Sequence, residues 1–136
     1  PFYAADGPRG DVPGESQLCE ETREIIHGID WECNLFTLFS KENKGSGVAI
    51  TDAISWFFTN VEEGIILEDD CIPIVDFFPF VEEMLERYRN NPAVFSVGGT
   101  NLRPQLSSEH YDIVFTKYAM IWGWATWRRA WQCMDK

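Results

Sequence analysis

The stretch that decides the fold is Gly64-Ile65-Ile66-Leu67-Glu68-Asp69-Asp70-Cys71-Ile72-Pro73, in which an apolar run leads directly into three acids. The apolar run predicts a short strand that is buried on both faces, as in a parallel sheet. The acids then fall at the carboxyl end of that strand, where open α/β sheets bind their ligands. Three adjacent carboxylates repel one another unless a cation joins them, and Mg²⁺ and Mn²⁺ prefer oxygen ligands. The stretch therefore indicates either a divalent-metal site or a solvated acidic turn after a core strand.

Strand and helix patterns alternate on both sides of this stretch. Strands are predicted at 2–5, 32–39, 64–67, 94–97 and 113–116, and helices at 15–27, 48–60, 77–90 and 127–134. Such an alternation predicts an α/β fold with a mostly parallel sheet and right-handed crossovers. The length of 136 residues predicts a single domain.

Composition and charge exclude some classes of function. The net charge is −11 and the chain has no basic run, which argues against binding along a nucleic-acid backbone. An anionic ligand would have to bring its own cation. No apolar run approaches the roughly 18 residues that a membrane span needs. The four scattered cysteines, Cys19, Cys33, Cys71 and Cys133, are typical of reduced thiols in a cytoplasmic protein, with a Cys19–Cys33 bridge left open.

Polar residues also follow two other predicted strands. Asp6 comes directly after the strand at 2–5, and the turn Gly98-Gly99-Thr100-Asn101 follows the strand at 94–97. Because the carboxyl ends of parallel strands meet at one edge of a sheet, we expect these groups and the three acids to converge on one crevice.

Three blocks of sequence, taken in order, carry a resemblance to a known family. They are Ala4-Ala5-Asp6-Gly7-Pro8-Arg9, the Gly64–Cys71 stretch and Trp122-Gly123-Trp124-Ala125-Thr126-Trp127. Together they resemble nucleotide-diphospho-sugar transferases of the GT-A type, in particular a hemolysin-like group, and more distantly N-acetylglucosaminyltransferase I. The resemblance covers nearly the whole chain. It implies a three-layer α/β/α fold with a mostly parallel sheet, and a glycosyltransferase that takes a sugar from a UDP- or GDP-sugar to a glycan or small-molecule acceptor.

The resemblance also implies roles for individual residues. Glu68-Asp69-Asp70 corresponds to the DxD-type motif of the family, in which Asp69 contacts the ribose and Asp70 binds the Mn²⁺ or Mg²⁺ that bridges the diphosphate. Asp6 is expected near the nucleotide base. Lys44 is a candidate for a phosphate contact or a solvated loop lysine.

The aromatic block adds two candidates for the donor site and two for the core. Trp122 and Trp124 are candidates for nucleotide-sugar binding or for packing, whereas Trp127 and Trp131 are expected in the core.

The general base is where the chain departs from the family pattern. N-acetylglucosaminyltransferase I has an aspartate in the turn that matches residues 98–101, and this chain has Thr100 there, which is not a base. Glu109, Asp112 and Asp135 are the candidates for the catalytic group within this sequence, and a base beyond Lys136 is the alternative. Inversion and retention at the anomeric carbon both stay open.

The chain also matches the family only from the strand that carries Asp6 onward. We therefore expect a domain at 1–136 that is truncated at its N-terminus and at its C-terminus. Truncation would expose apolar sheet surface, so we expect a homo-oligomer. The alternative function is a non-catalytic truncated domain that folds and self-associates without turnover.

Overall fold

The structure is a computed structural model that describes residues 1–100 and 113–134. The chain divides into two compact units, residues 1–59 and 60–136. Each unit has its own sheet, and each is described by itself.

The first unit is built on two parallel strands, β1 (Phe2–Ala5) and β2 (Phe36–Phe39). In the sequence, α1 (Glu15–Arg23) and a 3-10 turn at Glu24–Gly28 connect the two strands, and α2 (Ser46–Asn60) follows β2. The predicted strand at the start of the chain is confirmed. The predicted helix at 15–27 is shorter than expected, because its last turn is 3-10.

Aromatic rings make the packed face of this unit. The ring of Phe2 stacks on that of Phe36 at 4.7 Å between centroids and meets the edges of Trp56 and Phe57 at 5.3 and 5.0 Å. These contacts attach α2 to the strand pair. By contrast, α1 has no buried residue, and its Leu18 is 62% exposed.

The second unit is built on three antiparallel strands, β3 (Glu63–Ile66), β4 (Ser96–Gly98) and β5 (Trp124–Trp127). The spatial order is β3-β5-β4, so the last strand in the sequence lies in the middle. In the register, Ala125 is paired with both Ile65 and Val97. Ala125 is fully buried, because it belongs to the core cluster that packs on this sheet.

The expectation of a three-layer, mostly parallel GT-A sheet is therefore wrong. The described strands form a two-stranded parallel sheet and a three-stranded antiparallel sheet. The prediction failed because it placed no strand after residue 116 and began a helix at Trp127. Residues 124–127 instead form β5, and by lying between β3 and β4 they make every pair in that sheet antiparallel. Residues 113–116, predicted as a strand, are not one.

The core of the second unit lies between this sheet and α3 (Phe77–Tyr88). The buried residues of α3 follow the spacing of one helix face, i, i+4, i+7 and i+8: Phe77, Val81, Met84 and Leu85. The indole N–H of Trp127 donates to the Leu85 carbonyl at 3.2 Å, which fixes the helix to β5. A short helix, α4 (Arg128–Trp131), follows β5 directly.

Within the described residues, every helix is too short or too polar to cross a membrane.

The central position of β5 gives a test of the sheet. Replacing Ala125 by leucine should destabilise the protein by about 1–3 kcal/mol, because a fully buried site with strands on both sides has no room for extra methylenes. The matched control is Ala93→Leu, since Ala93 is exposed. Urea denaturation of both variants measures the difference, and equal midpoints would contradict the central placement of β5.

Candidate functional site

The three acids lie in a tight turn just after β3. The backbone N–H of Cys71 donates to the Glu68 carbonyl at 3.0 Å and closes this turn. Glu68 is half-buried, whereas Asp69 and Asp70 are exposed. The placement of the acids directly after a strand of the core is as predicted, although the strand is antiparallel to its neighbour.

A cleft of about 470 Å³ opens beside this turn in the second unit. Asp70 and Thr100 line it, together with the exposed ring of Trp122. The rest of the described lining is mostly apolar: Leu67, Cys71, Ile72, Pro73, Ile74, Phe77, Gly99 and Gly123. A mostly apolar cavity with a few polar groups is the usual form of a small-molecule site. This cleft is therefore the candidate functional site.

The wall opposite the acids is fixed by backbone contacts. The Thr100 hydroxyl donates to the Trp122 carbonyl at 2.6 Å, and the Gly99 N–H donates to the Gly123 carbonyl at 3.0 Å. A Cβ at position 99 would collide with the ring of Phe77, so this close approach requires glycine. Gly123 has a φ of 69°, which side-chain-bearing residues rarely adopt. The chain on either side of Gly123 is thus held in one conformation.

This geometry separates the two tryptophans of the Trp122-Gly123-Trp124 motif. Trp122 is 56% exposed and lines the cleft, whereas Trp124 is only 8% exposed and belongs to β5. Trp122 is therefore available to a ligand. Trp124 packs in the protein, as Trp127 and Trp131 do.

Asp6 lies in the first unit, at the end of β1, where its carboxylate organises the loop before α2. It accepts hydrogen bonds from the backbone N–H groups of Gly7 at 2.8 Å, Lys44 at 3.0 Å and Gly45 at 3.1 Å, and from the Asn43 amide at 3.1 Å. A carboxylate at this place satisfies backbone donors at the start of the helix and favours its dipole. The observed contacts of Asp6 are thus structural ones.

Lys44, the candidate phosphate contact, pairs with an acid of its own unit. Its ammonium group lies 2.8 Å from the Asp52 carboxylate on α2. The hydrogen bond that Lys44 donates to the Asp52 carboxylate raises the pKa of Lys44 above its ordinary value of 10.5, and the charge of Asp52 adds to this. Both side chains are substantially exposed, so the pair is a solvated one.

The donor set at the acid turn suits a hard cation only in part. Within the described residues, no group of three or more His, Cys, Asp or Glu side chains is arranged to hold a metal ion. Asp70 offers an exposed carboxylate, and its Oδ1 lies 3.6 Å from the Cys71 thiol. Mg²⁺ is commonly held by one or two carboxylates plus phosphate oxygens and water. Asp70 therefore fits a cation that arrives with a diphosphate.

The candidate catalytic residues Glu109, Asp112 and Asp135 all lie outside the described residues. Thr100 lies inside them, and its hydroxyl is used in the hydrogen bond to Trp122.

Sequence reasoning missed Phe77 as a residue of the site. Its spacing on α3 marks it as core, which is correct, since it is 8% exposed. Its ring also lines the cleft and sits against Gly99 and Gly123. The contact of the Phe77 ring with these two glycines could not be predicted from the sequence, because it depends on the fold.

A second groove, of about 550 Å³, runs along α3 in the same unit. Although it is larger, most of the charged groups that line it pair with one another. Arg89 pairs with Glu63 at 2.8 Å and Glu86 at 2.5 Å, and Arg87 pairs with Glu83 at 2.5 Å. Such a surface of ion pairs on an exposed helix face is typical of a solvated helix. The cleft beside Asp70 is the better candidate.

No protein-family model, curated protein or solved structure was found to match this chain. The resemblance to nucleotide-diphospho-sugar transferases is therefore a hypothesis carried by the three sequence blocks.

The contacts of Asp6 predict its effect on stability. Asp6→Ala should destabilise the first unit by about 1 kcal/mol, because it removes the acceptor for the backbone donors before α2. The control is Asp11→Ala, at an exposed position in the loop before α1. Thermal unfolding followed by circular dichroism compares the two. A loss no larger in Asp6→Ala than in the control would show that the carboxylate does not hold the loop.

The Lys44–Asp52 pair predicts a pH effect. Asp52→Asn should lower the pKa of Lys44 towards 10.5, because it replaces the charged acceptor of the Lys44 hydrogen bond by a neutral one. The stability that the pair contributes is present below pH 10.5 and is lost as pH rises through the raised pKa. NMR titration of the lysine side chain measures this shift. Glu42→Gln, whose charge has the smallest effect on Lys44, is the matched control.

Proposed function

We propose that this chain is a glycosyltransferase domain, which moves a sugar from a nucleotide-diphosphate sugar to the hydroxyl of a glycan or small-molecule acceptor. The observation that carries the proposal is the cleft beside Asp70, with the exposed Trp122 in its lining. Two of the three sequence blocks that resemble the family meet there. The proposal rests on these blocks and on the cleft, and not on the fold.

The charges of the cleft support a donor that binds together with a cation. Among the described residues, Asp70 is the only charged one that lines it. A diphosphate alone would be repelled by this carboxylate, and no described lysine or arginine lines the cleft to compensate. Mn²⁺ or Mg²⁺ held by Asp70 would join the two and neutralise the charge that grows on the departing diphosphate.

The residues of this chain then bind and orient the substrates. In the reaction, the acceptor oxygen forms a bond to the anomeric carbon, and the bond from that carbon to the diphosphate breaks with its electron pair. Asp70 would hold the cation that binds the diphosphate end of the donor, and the apolar lining would pack against the sugar. Glu68 and Asp69 lie in the same turn, where the resemblance gives Asp69 the ribose contact.

The proton of the acceptor hydroxyl must pass to a base. Thr100 does not serve, since a hydroxyl is not basic at neutral pH. Glu109, Asp112 and Asp135 are the candidates for this base.

A second candidate function is a domain that self-associates without turnover. The exposed apolar residues beside the cleft favour it, since Ile72, Ile74 and Val75 are 94%, 73% and 83% exposed. Apolar side chains exposed together commonly mark an interface.

Binding of nucleotides tests the first proposal. Titration calorimetry should show that UDP or GDP binds in the presence of Mn²⁺ and not in its absence. Asp70→Asn should abolish this binding, because it removes the carboxylate that holds the cation. Glu82→Gln is the control, since Glu82 is an exposed acid on α3 that does not line the cleft.

Two outcomes would reject the assignment. Equal binding by the wild type and Asp70→Asn would remove Asp70 from the donor site. Absence of binding by the wild type, together with a concentration-dependent mass in light scattering, would favour the self-associating domain.

A further inference from the structure

We infer that the cleft binds an uncharged sugar ring, which stacks on Trp122 and donates a hydroxyl hydrogen bond to Asp70, and that it discriminates against sugars that carry a carboxylate. This inference rests on the proposed function and names the class of sugar that the site would take. It follows from three properties of the cleft: its aromatic surface, its fixed wall and its charge.

The aromatic surface is Trp122. More than half of its surface is accessible, and it lines the cleft together with apolar residues such as Leu67, Ile74 and Phe77. A pyranose has the matching form, since one face of the ring presents C–H groups and its edge presents hydroxyls. The C–H face would cover the indole and the apolar lining, and so remove apolar surface from water.

The fixed wall keeps the backbone beneath the indole in one place before a ligand arrives. Thr100 holds the carbonyl of Trp122 itself, and Gly99 holds the carbonyl of the next residue, Gly123. The buried ring of Phe77 packs behind both glycines. A preorganised wall loses less conformational entropy on binding, which favours recognition of a small, weakly bound ring.

The charge of the cleft selects among sugars. An ionised carboxylate only accepts hydrogen bonds, so Asp70 is suited to a sugar hydroxyl. A uronic acid or a sialic acid would bring a second negative charge into a cleft whose described lining contains no cation. A diphosphate and one divalent cation cancel each other's charge, so a bound donor would leave this preference in place.

The experiment uses simple glycosides as probes in metal-free buffer. Saturation-transfer NMR should detect binding of methyl β-glucopyranoside to the wild type, and methyl β-glucuronide should bind at least tenfold more weakly. Trp122→Ala should weaken binding of the neutral glycoside at least tenfold, and Trp122→Phe should restore part of it. Trp31→Ala is the matched control, because Trp31 is 60% exposed and lies in the first unit.

Asp70→Asn tests the charge separately. This variant keeps a hydrogen-bond acceptor and loses the negative charge, so it should bind the two glycosides with similar affinity. Equal binding of both glycosides by the wild type would overturn the selection by charge. Equal effects of Trp122→Ala and Trp31→Ala, or no binding of the neutral glycoside, would overturn the assignment of the cleft to a sugar.

These results are distinct from a failure of the proposed function. Glycoside binding that depends on Trp122, combined with no nucleotide binding in Mn²⁺, would keep the sugar site and reject the transferase. Nucleotide binding that depends on Asp70, combined with no effect of Trp122→Ala on glycoside binding, would keep the transferase and reject the sugar site at Trp122.

Discussion

The second unit depends on the insertion of β5 between β3 and β4. An internal strand must satisfy its backbone hydrogen bonds on both edges, and β5 does so with partners that lie far apart in the sequence. Ala125 has no exposed surface at the point where the three strands meet. The hydroxyl of the next residue, Thr126, is also used, since it donates to the Phe95 carbonyl at 2.5 Å. The same four residues thus complete the sheet and cover the inner face of α3.

The position of β5 also brings the candidate site into being. Trp122 and Gly123 directly precede β5. Because the register pairs Trp124 with Ile66 and Gly98, Trp122 and Gly123 lie at the cleft. The acid turn follows β3, and the Gly99-Thr100 turn follows β4. Both turns contribute residues to the cleft that Trp122 and Gly123 also line. An antiparallel central strand therefore gathers groups at the ends of β3 and β4, as a parallel sheet was expected to do. The acid turn and the Gly99-Thr100 turn still meet at one cleft although the central strand is antiparallel, whereas Asp6 is not among the described residues that line this cleft.

The sequence predicted local structure better than long-range pairing. The strand at 2–5, a helix that begins at Phe77 and the position of the acids after a strand all follow from short-range spacing, and each was predicted correctly. The sheet was predicted wrongly, because β5 pairs with β3 and β4, which lie far from it in the sequence, and such distant pairing leaves no local pattern. β5 itself has no alternation of apolar and polar residues, since all of its four positions are buried. A four-residue run of this kind, after a glycine and among many aromatic residues, has no pattern that predicts a strand.

The candidate site was predictable to a similar degree. The position of Asp70 after a strand was predicted correctly. The sequence left Trp122 and Trp124 open between a ligand surface and the core, and their burial in the structure distinguishes them. The place of Asp6 after β1 was also correct. Its contacts were not foreseeable, because they depend on how the loop at 43–45 folds back onto it. Contacts between distant loops are set by the whole fold and not by the spacing of residues.

Arg129 in α4 gives the second unit a mechanical property. Its guanidinium donates to three backbone carbonyls at and just beyond the end of α3, those of Tyr88, Arg89 and Val94, at 3.0, 2.8 and 3.2 Å. It also lies over the ring of Trp127 at 4.4 Å. One side chain thus ties the end of the helix to the central strand. Fraying of α3 from this end would break contacts of α4 and β5 at the same time, so the three elements should open and exchange their amide hydrogens as one cooperative unit.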